Sequence, residues 1–190
     1  MRIAIVDENG ARSAIIESGL HDAGYADIIK IADTTALIKQ LEVLDPDVVL
    51  IALENPSRDT LENMFTVSRT VRRPVAMFVD QSDTAMIEAA VDSGVSAYIV
   101  DGLRKERVKA ILNMAISRFN AFERLRRELA EAKTRLEERK IIERAKGVLM
   151  KAKSISEEEA YVLLRRTAMN ENRRIADVAQ SVILAADLLR

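Results

Sequence analysis

Turn punctuation stops partway along this chain. All three prolines (Pro46, Pro56, Pro74) and five of the six glycines (Gly10, Gly19, Gly24, Gly94, Gly102) precede residue 103, and Gly147 alone follows. Gly and Pro are the strongest local interrupters of periodic structure. The front is therefore expected to hold many short elements and the back to hold long helices. Charge divides the same way: net −6 over 1–115, +3 over 116–140 and +2 over 141–190, for −1 overall. An acidic front and a basic back point to polyanion contact in the back alone. There is no cysteine, which excludes disulfides, thiolate zinc sites and thiol nucleophiles. The apolar fraction of 48% supports a packed core. The apolar run Ile3–Val6 is too short for a secretory signal, and no stretch approaches a membrane span. A cytoplasmic protein without membrane contact is expected.

In the front, short β-branched runs recur at Arg2–Val6, Asp27–Ile31, Val48–Leu53, Val75–Val79 and Ala97–Val100. Helical patterns lie between and after them, at about 11–20, 34–44, 58–71, 83–93 and 104–118. Strands alternating with helices imply a doubly wound parallel sheet, helices on both faces. Chemistry in such sheets sits beyond the carboxyl ends of the strands. Those ends carry Asp7 and Glu8 after the first strand, Leu53-Glu54-Asn55-Pro56 after the third, Asp80 after the fourth, and Asp101-Gly102 after the fifth. Paired carboxylates suit Mg²⁺, which prefers oxygen ligands. Capping or solvation of the next helix is the plainer use of Asp7 and Glu8.

The order and spacing of 1–118 resemble the receiver domain of two-component response regulators (flavodoxin-like fold). The resemblance implies an acidic pair, matched by Asp7 and Glu8, and an aromatic near the last strand end, matched by Tyr98. It also implies a phosphate-accepting Asp four residues before a proline, then a hydroxyl and a lysine at later strand ends. Those positions hold Ala52, Val79 and Asp101. Alanine has no nucleophile, valine cannot hydrogen-bond a phosphoryl oxygen, and Asp101 is anionic where a cation would stabilise charge. A pseudo-receiver without phosphotransfer is expected. Glu54 or Asp80 are the stand-in acceptors to weigh, and weak Mg²⁺ binding at Asp7 and Glu8 is the one cofactor left in view. The polar loop Glu54–Thr60 offers Ser57 or Asp59 as a helix cap.

From Arg104 the chain runs more than forty residues without a breaker. Phe122, Leu125, Leu129, Ala132 and Leu136 follow alternating steps of three and four with charged neighbours, the a/d stripe of a coiled coil. A homodimer seam is expected, with packing of the stripe on the receiver-like domain as the alternative.

The tail reads as a three-helix bundle. Ile141, Ile142, Ala145, Val148, Leu149 and Ala152 form one apolar face. Gly147 there suggests close approach of another helix. Ser156 with Glu159 three residues on is a capping box. Ala160, Leu163, Leu164 and Ala168 follow, then a polar turn at Met169–Arg174. Ile175, Val178, Ala179, Val182, Ile183, Ala186 and Leu189 give the third face.

Arg144-Ala145-Lys146-Gly147-Val148-Leu149-Met150, Ser156–Tyr161 with Leu164-Arg165 and Ala168, and Ile175–Ala179 together resemble the ANTAR domain of AmiR- and NasT-type antiterminators. The whole arrangement is most similar to the NasT-type nitrate/nitrite regulators. The division expected is 1–118 receiver-like, 119–140 coiled coil, and 141–190 ANTAR. The resemblance implies binding to paired leader-RNA hairpins, antitermination, and a sensor protein that sequesters the regulator; no enzyme activity is implied. Arg144, Lys146, Lys151, Lys153, Arg165, Arg166, Arg173 and Arg174 are cations for phosphates. Tyr161 is placed to stack on an unpaired base, and Asn170 or Asn172 to read a base edge. For each Lys or Arg alone a solvated helix face is the better reading, and for Tyr161 a half-buried core position; together, cations recurring along a basic helix and beside a polar turn favour nucleic acid. A DNA-binding response regulator and a receiver using a non-standard acceptor are the competing readings.

Overall fold

The computed structural model describes residues 1–188. Its contacts separate two compact units, Met1–Glu123 and Arg124–Arg190.

The first unit holds β1 (Ile3–Val6), α1 (Ala11–Asp22), β2 (Ile28–Ile31), α2 (Leu37–Leu44), β3 (Val48–Leu53), α3 (Arg58–Thr70), β4 (Val75–Val79), α4 (Thr84–Asp92) and β5 (Ala97–Val100). The long α5 (Lys105–Lys153) begins in it. The strands form one parallel sheet in the order β2-β1-β3-β4-β5. Side chains alternate across a strand, so β1 feeds two cores. Ile3 and Ile5 pack with Ile16 and Leu20 of α1 and with Val108, Ile111 and Leu112 of α5. Ala4 and Val6 pack with Leu37 and Leu41 of α2, Leu61 and Phe65 of α3, and Met86 of α4. Burial on both faces is why β1, β3 and β4 read as unbroken apolar runs. The chain leaves β1 to either side, toward β2 and toward β3, so the crevice between the ends of β1 and β3 is a topological switch point.

Local chemistry sets the helix starts. Ser57 caps α3, its hydroxyl accepting from Thr60 N–H at 3.1 Å. Asp59 sits in the first turn instead. Asp83 caps α4 through Met86 N–H at 2.8 Å. The second helix starts at Leu37 rather than near 34, because Asp33 accepts from Thr35 N–H at 2.8 Å and holds a turn there. Hydrogen bonding from Thr35, its side chain foremost and its backbone N–H next, holds the Asp33 carboxyl below its ordinary pKa. Gly19 lies where α1 meets α5: a Cβ there would meet the Lys105 carbonyl oxygen at 2.6 Å.

In the second unit α5 continues to Lys153, followed by α6 (Glu157–Asn170) and α7 (Ile175–Leu188). Ala145, Leu149, Ala160, Leu164, Ala168, Val178, Ala179 and Ile183 form its core. The capping box is present: Ser156 accepts from Glu159 N–H at 3.2 Å, and Glu159 accepts from Ser156 N–H at 2.8 Å. That second bond holds the Glu159 carboxyl below its ordinary pKa. Three expectations are corrected. Ala152 is exposed. Among the described residues, no other helix comes within 4 Å of where a Gly147 side chain would begin, so Gly147 marks no close approach. The sixth helix runs through Met169 and Asn170, leaving a shorter turn in which Asn172 takes a left-handed φ of 52°. Leu189, assigned to the third apolar face, lies outside the described residues.

Candidate functional site

The switch point holds a cleft of about 420 Å³ lined by Asp7, Glu8, Ala52, Glu54, Asn55 and Ser57, among others. Three of the expected positions, Asp7, Glu8 and Ala52, come together there. Val79 is buried in the core under α2–α4. Asp101 is exposed, with φ 46° and its N–H donating to the Val79 carbonyl at 2.9 Å. Neither lines the cleft.

Several polar side chains of the cleft, Asp7, Glu8 and Glu54 among them, are engaged by the protein itself. Asp7 is 5% exposed. Its two oxygens accept from Asn9 N–H at 3.1 Å and Ser13 N–H at 2.6 Å. It thereby does the work of a side-chain cap for α1, whose N-cap residue is Gly10. Glu8 accepts from the Thr34 hydroxyl at 2.6 Å, and Glu54 from the Asn9 amide at 2.7 Å. Arg12 forms an ion pair with Asp80, tying α1 to the end of β4. Arg12 was missed in the sequence; its signal is a cation in the first turn after an acidic pair. Mg²⁺ requires several oxygens in a near-octahedral array. Here both oxygens of Asp7 are taken by N–H groups, and the third strand presents the methyl of Ala52. No group of three or more ligating side chains occurs among the described residues. With Ala52 in place of a third oxygen ligand, this arrangement is a poor fit for a tightly held Mg²⁺.

In the second unit the basic candidates divide into two sets. Arg144 pairs with Asp187 at 3.0 Å. Lys146, its side chain 9% exposed, pairs with Glu143 at 2.8 Å and Glu157 at 2.6 Å. These hydrogen bonds, that to Glu143 foremost, raise the lysine pKa, and Lys146 in turn lowers that of Glu157. Arg173 pairs with Glu171 at 2.9 Å. Arg174 pairs with Asp177 at 3.1 Å and Glu138 at 3.3 Å, which raises its pKa further. Lys151, Lys153, Arg165 and Arg166 are exposed and make no ion pair among the described residues. Tyr161 is 43% exposed, and Val162 and Met169 are exposed beside it on α6. Residues 161, 165 and 169 recur every fourth position, and 162 and 166 do the same alongside. This face mixes an aromatic ring, apolar carbons and unpaired cations; Val162 and Met169 were not anticipated in it.

Residues 130–183 match the ANTAR domain. That segment begins within α5 and takes in α6 and most of α7. The transcriptional regulatory protein PdtaR of Mycobacterium tuberculosis is 26% identical over 182 residues, 96% of this chain and 89% of its own. A nitrate regulatory protein of Klebsiella oxytoca is 37% identical over 82 residues, 43% of this chain and 21% of that protein. Two solved receiver folds share the first unit's architecture. The signal receiver domain of a diguanylate cyclase from Desulfovibrio desulfuricans has a TM-score of 0.53 at 16% identity, covering 63% of this chain and 95% of its own. A response regulator receiver from Methanospirillum hungatei has a TM-score of 0.53 at 16% identity, covering 63% and 96%. An ANTAR domain thus follows a receiver-like fold. Both curated relatives are named as regulatory proteins. No helix among the described residues is long and apolar enough to cross a membrane.

Proposed function

We propose that this chain is an RNA-binding transcription antiterminator of the response-regulator type, working in the cytoplasm. Its ANTAR segment grips paired hairpins of a leader RNA and so keeps the downstream terminator from forming. The observation that carries this reading is the ANTAR match over 130–183. The unpaired cations Lys151, Lys153, Arg165 and Arg166 support it, being available to phosphates. Arg144, Lys146, Arg173 and Arg174 serve first in ion pairs of the bundle.

The receiver-like half is a regulatory body without phosphotransfer. Ala52 offers no oxygen to a phosphoryl group, and the stand-ins Glu54 and Asp80 are engaged by Asn9 and Arg12. Control then falls to a sensor protein that sequesters the regulator until its effector arrives. The division of labour is 1–118 for regulation, 119–140 for pairing two copies and 141–190 for RNA. Control of nitrate and nitrite assimilation is the narrowest part of the proposal. It rests on the partial match to the nitrate regulatory protein.

The test is affinity of the full chain for a two-hairpin RNA against duplex DNA of the same sequence, measured across salt concentrations. RNA is expected to bind more tightly, with log affinity falling as log salt rises. Arg165→Ala and Arg166→Ala are each expected to lower the salt slope by about one. Tighter binding to DNA would overturn the proposal.

A further inference from the structure

The second unit carries a groove that the unpaired cations alone do not explain. Its volume is about 450 Å³, and it lies between the end of α5, the α5–α6 turn and the first turns of α6. Ile155, Val162 and Leu163 supply apolar lining. Ile155 and Leu163 also pack against the bundle core, which holds the groove's shape. Val162 is 54% exposed and so contributes surface rather than core. Lys153 and Arg166 flank this lining, and both are exposed and without an ion-pair partner among the described residues. Glu158 lies in the same lining. Its neighbours Glu157 and Glu159 are committed to Lys146 and to the capping box, whereas Glu158 makes no hydrogen bond or ion pair among the described residues.

We infer that this groove seats one unpaired base of the bound RNA, resting on the proposed RNA reading. The groove offers an apolar wall for a base face, cations for the phosphates on either side of it, and a carboxylate for donors on the base edge. Single-stranded loops are read in this way, by splaying a base out, packing its face and bonding its edge. A base is planar, apolar on its faces and joined to an anionic backbone. An acidic peptide offers charge for Lys153 and Arg166 but no planar apolar face for the wall of Ile155, Val162 and Leu163, and a purely apolar segment leaves all three charges unused. The occupant with both chemistries in one residue is a nucleotide.

The probe is a hairpin selected from a library with a randomised loop by its binding to the full-length wild-type chain. Each loop position is then made abasic in turn. For the wild type, one abasic position is expected to lower affinity by about tenfold. Val162→Asp puts a carboxylate into the groove at an exposed site, where folding is unaffected, and circular dichroism checks this. It is expected to lower affinity for the intact hairpin by a similar factor and to abolish discrimination at that one position, leaving the others unchanged. If Val162→Asp binds like the wild type, or loses affinity equally for every abasic probe, the groove seats no base. If the wild type selects no hairpin at all, the RNA reading itself has failed, and this inference falls with it.

Discussion

Lys146 shows how a residue can belong to the basic face by sequence and to the bundle by contact. Its ammonium lies between Glu143 and Glu157, with 9% of the side chain exposed. The two carboxylates raise its pKa, and it lowers that of Glu157. A raised ammonium pKa gives stability that is whole below the unfolded-state value and is lost as pH rises through the folded one. A lowered carboxylate pKa gives stability present above the unfolded-state value and lost as pH falls through the folded one. The cluster therefore supports the second unit across neutral pH and weakens at both extremes. Lys146→Met is expected to melt below the wild type near neutrality, with the gap narrowing toward strongly acid and strongly alkaline pH. Thermal unfolding over a pH series measures this, and a gap of constant size would contradict it. Asp7 is the acidic-front counterpart: two N–H bonds engage it as a helix cap.

Among the elements, α5 poses the clearest physical question. Phe122, Leu125, Leu129 and Leu136 are between 53% and 63% exposed, and Ala132 is exposed between them. A stripe of this kind on one helix, flanked by charge, is stabilised when a second copy covers it. Leu125→Lys combined with Leu129→Lys is expected to convert a dimer to a monomer in light scattering. Wild-type monomers at micromolar concentration would remove the seam from the proposal. Gly19 makes a quieter constraint on another helix. Alanine normally favours a helix over glycine by about 1 kcal/mol. Here a methyl would meet backbone at 2.6 Å and Val108 at 2.9 Å, so overpacking outweighs propensity.

For the whole molecule, the decisive question is whether the receiver-like half still accepts phosphate. Its cleft has the position and volume for a phosphoryl group, but Ala52 lines it with a methyl. Incubation of the full chain with acetyl phosphate is expected to leave its intact mass unchanged, with or without Mg²⁺. A stable gain of one phosphoryl group would show that Glu54 or Asp80 leaves its present partner and takes over as acceptor. The same mass measurement bears on regulation. An unchanged mass would support the proposed control by a partner protein over control by phosphorylation.

Most of the architecture was legible in one dimension because its signals are local. Apolar runs bounded by Gly and Pro gave the strands to within a residue, and Ser156 with Glu159 marked the start of α6. The loss of a nucleophile at Ala52 is likewise a fact of composition, independent of folding. Pairings between distant residues were not legible. Arg12 with Asp80, Lys146 with Glu157, Arg144 with Asp187 and the groove between Lys153 and Arg166 join groups across turns or across the sheet. Sequence determined which residues carry charge and which elements are apolar on one side or on both, because periodicity follows from backbone geometry. Tertiary structure alone decided which charges are spent on one another and which remain for a ligand, because that depends on side chains meeting within a few ångströms in three dimensions.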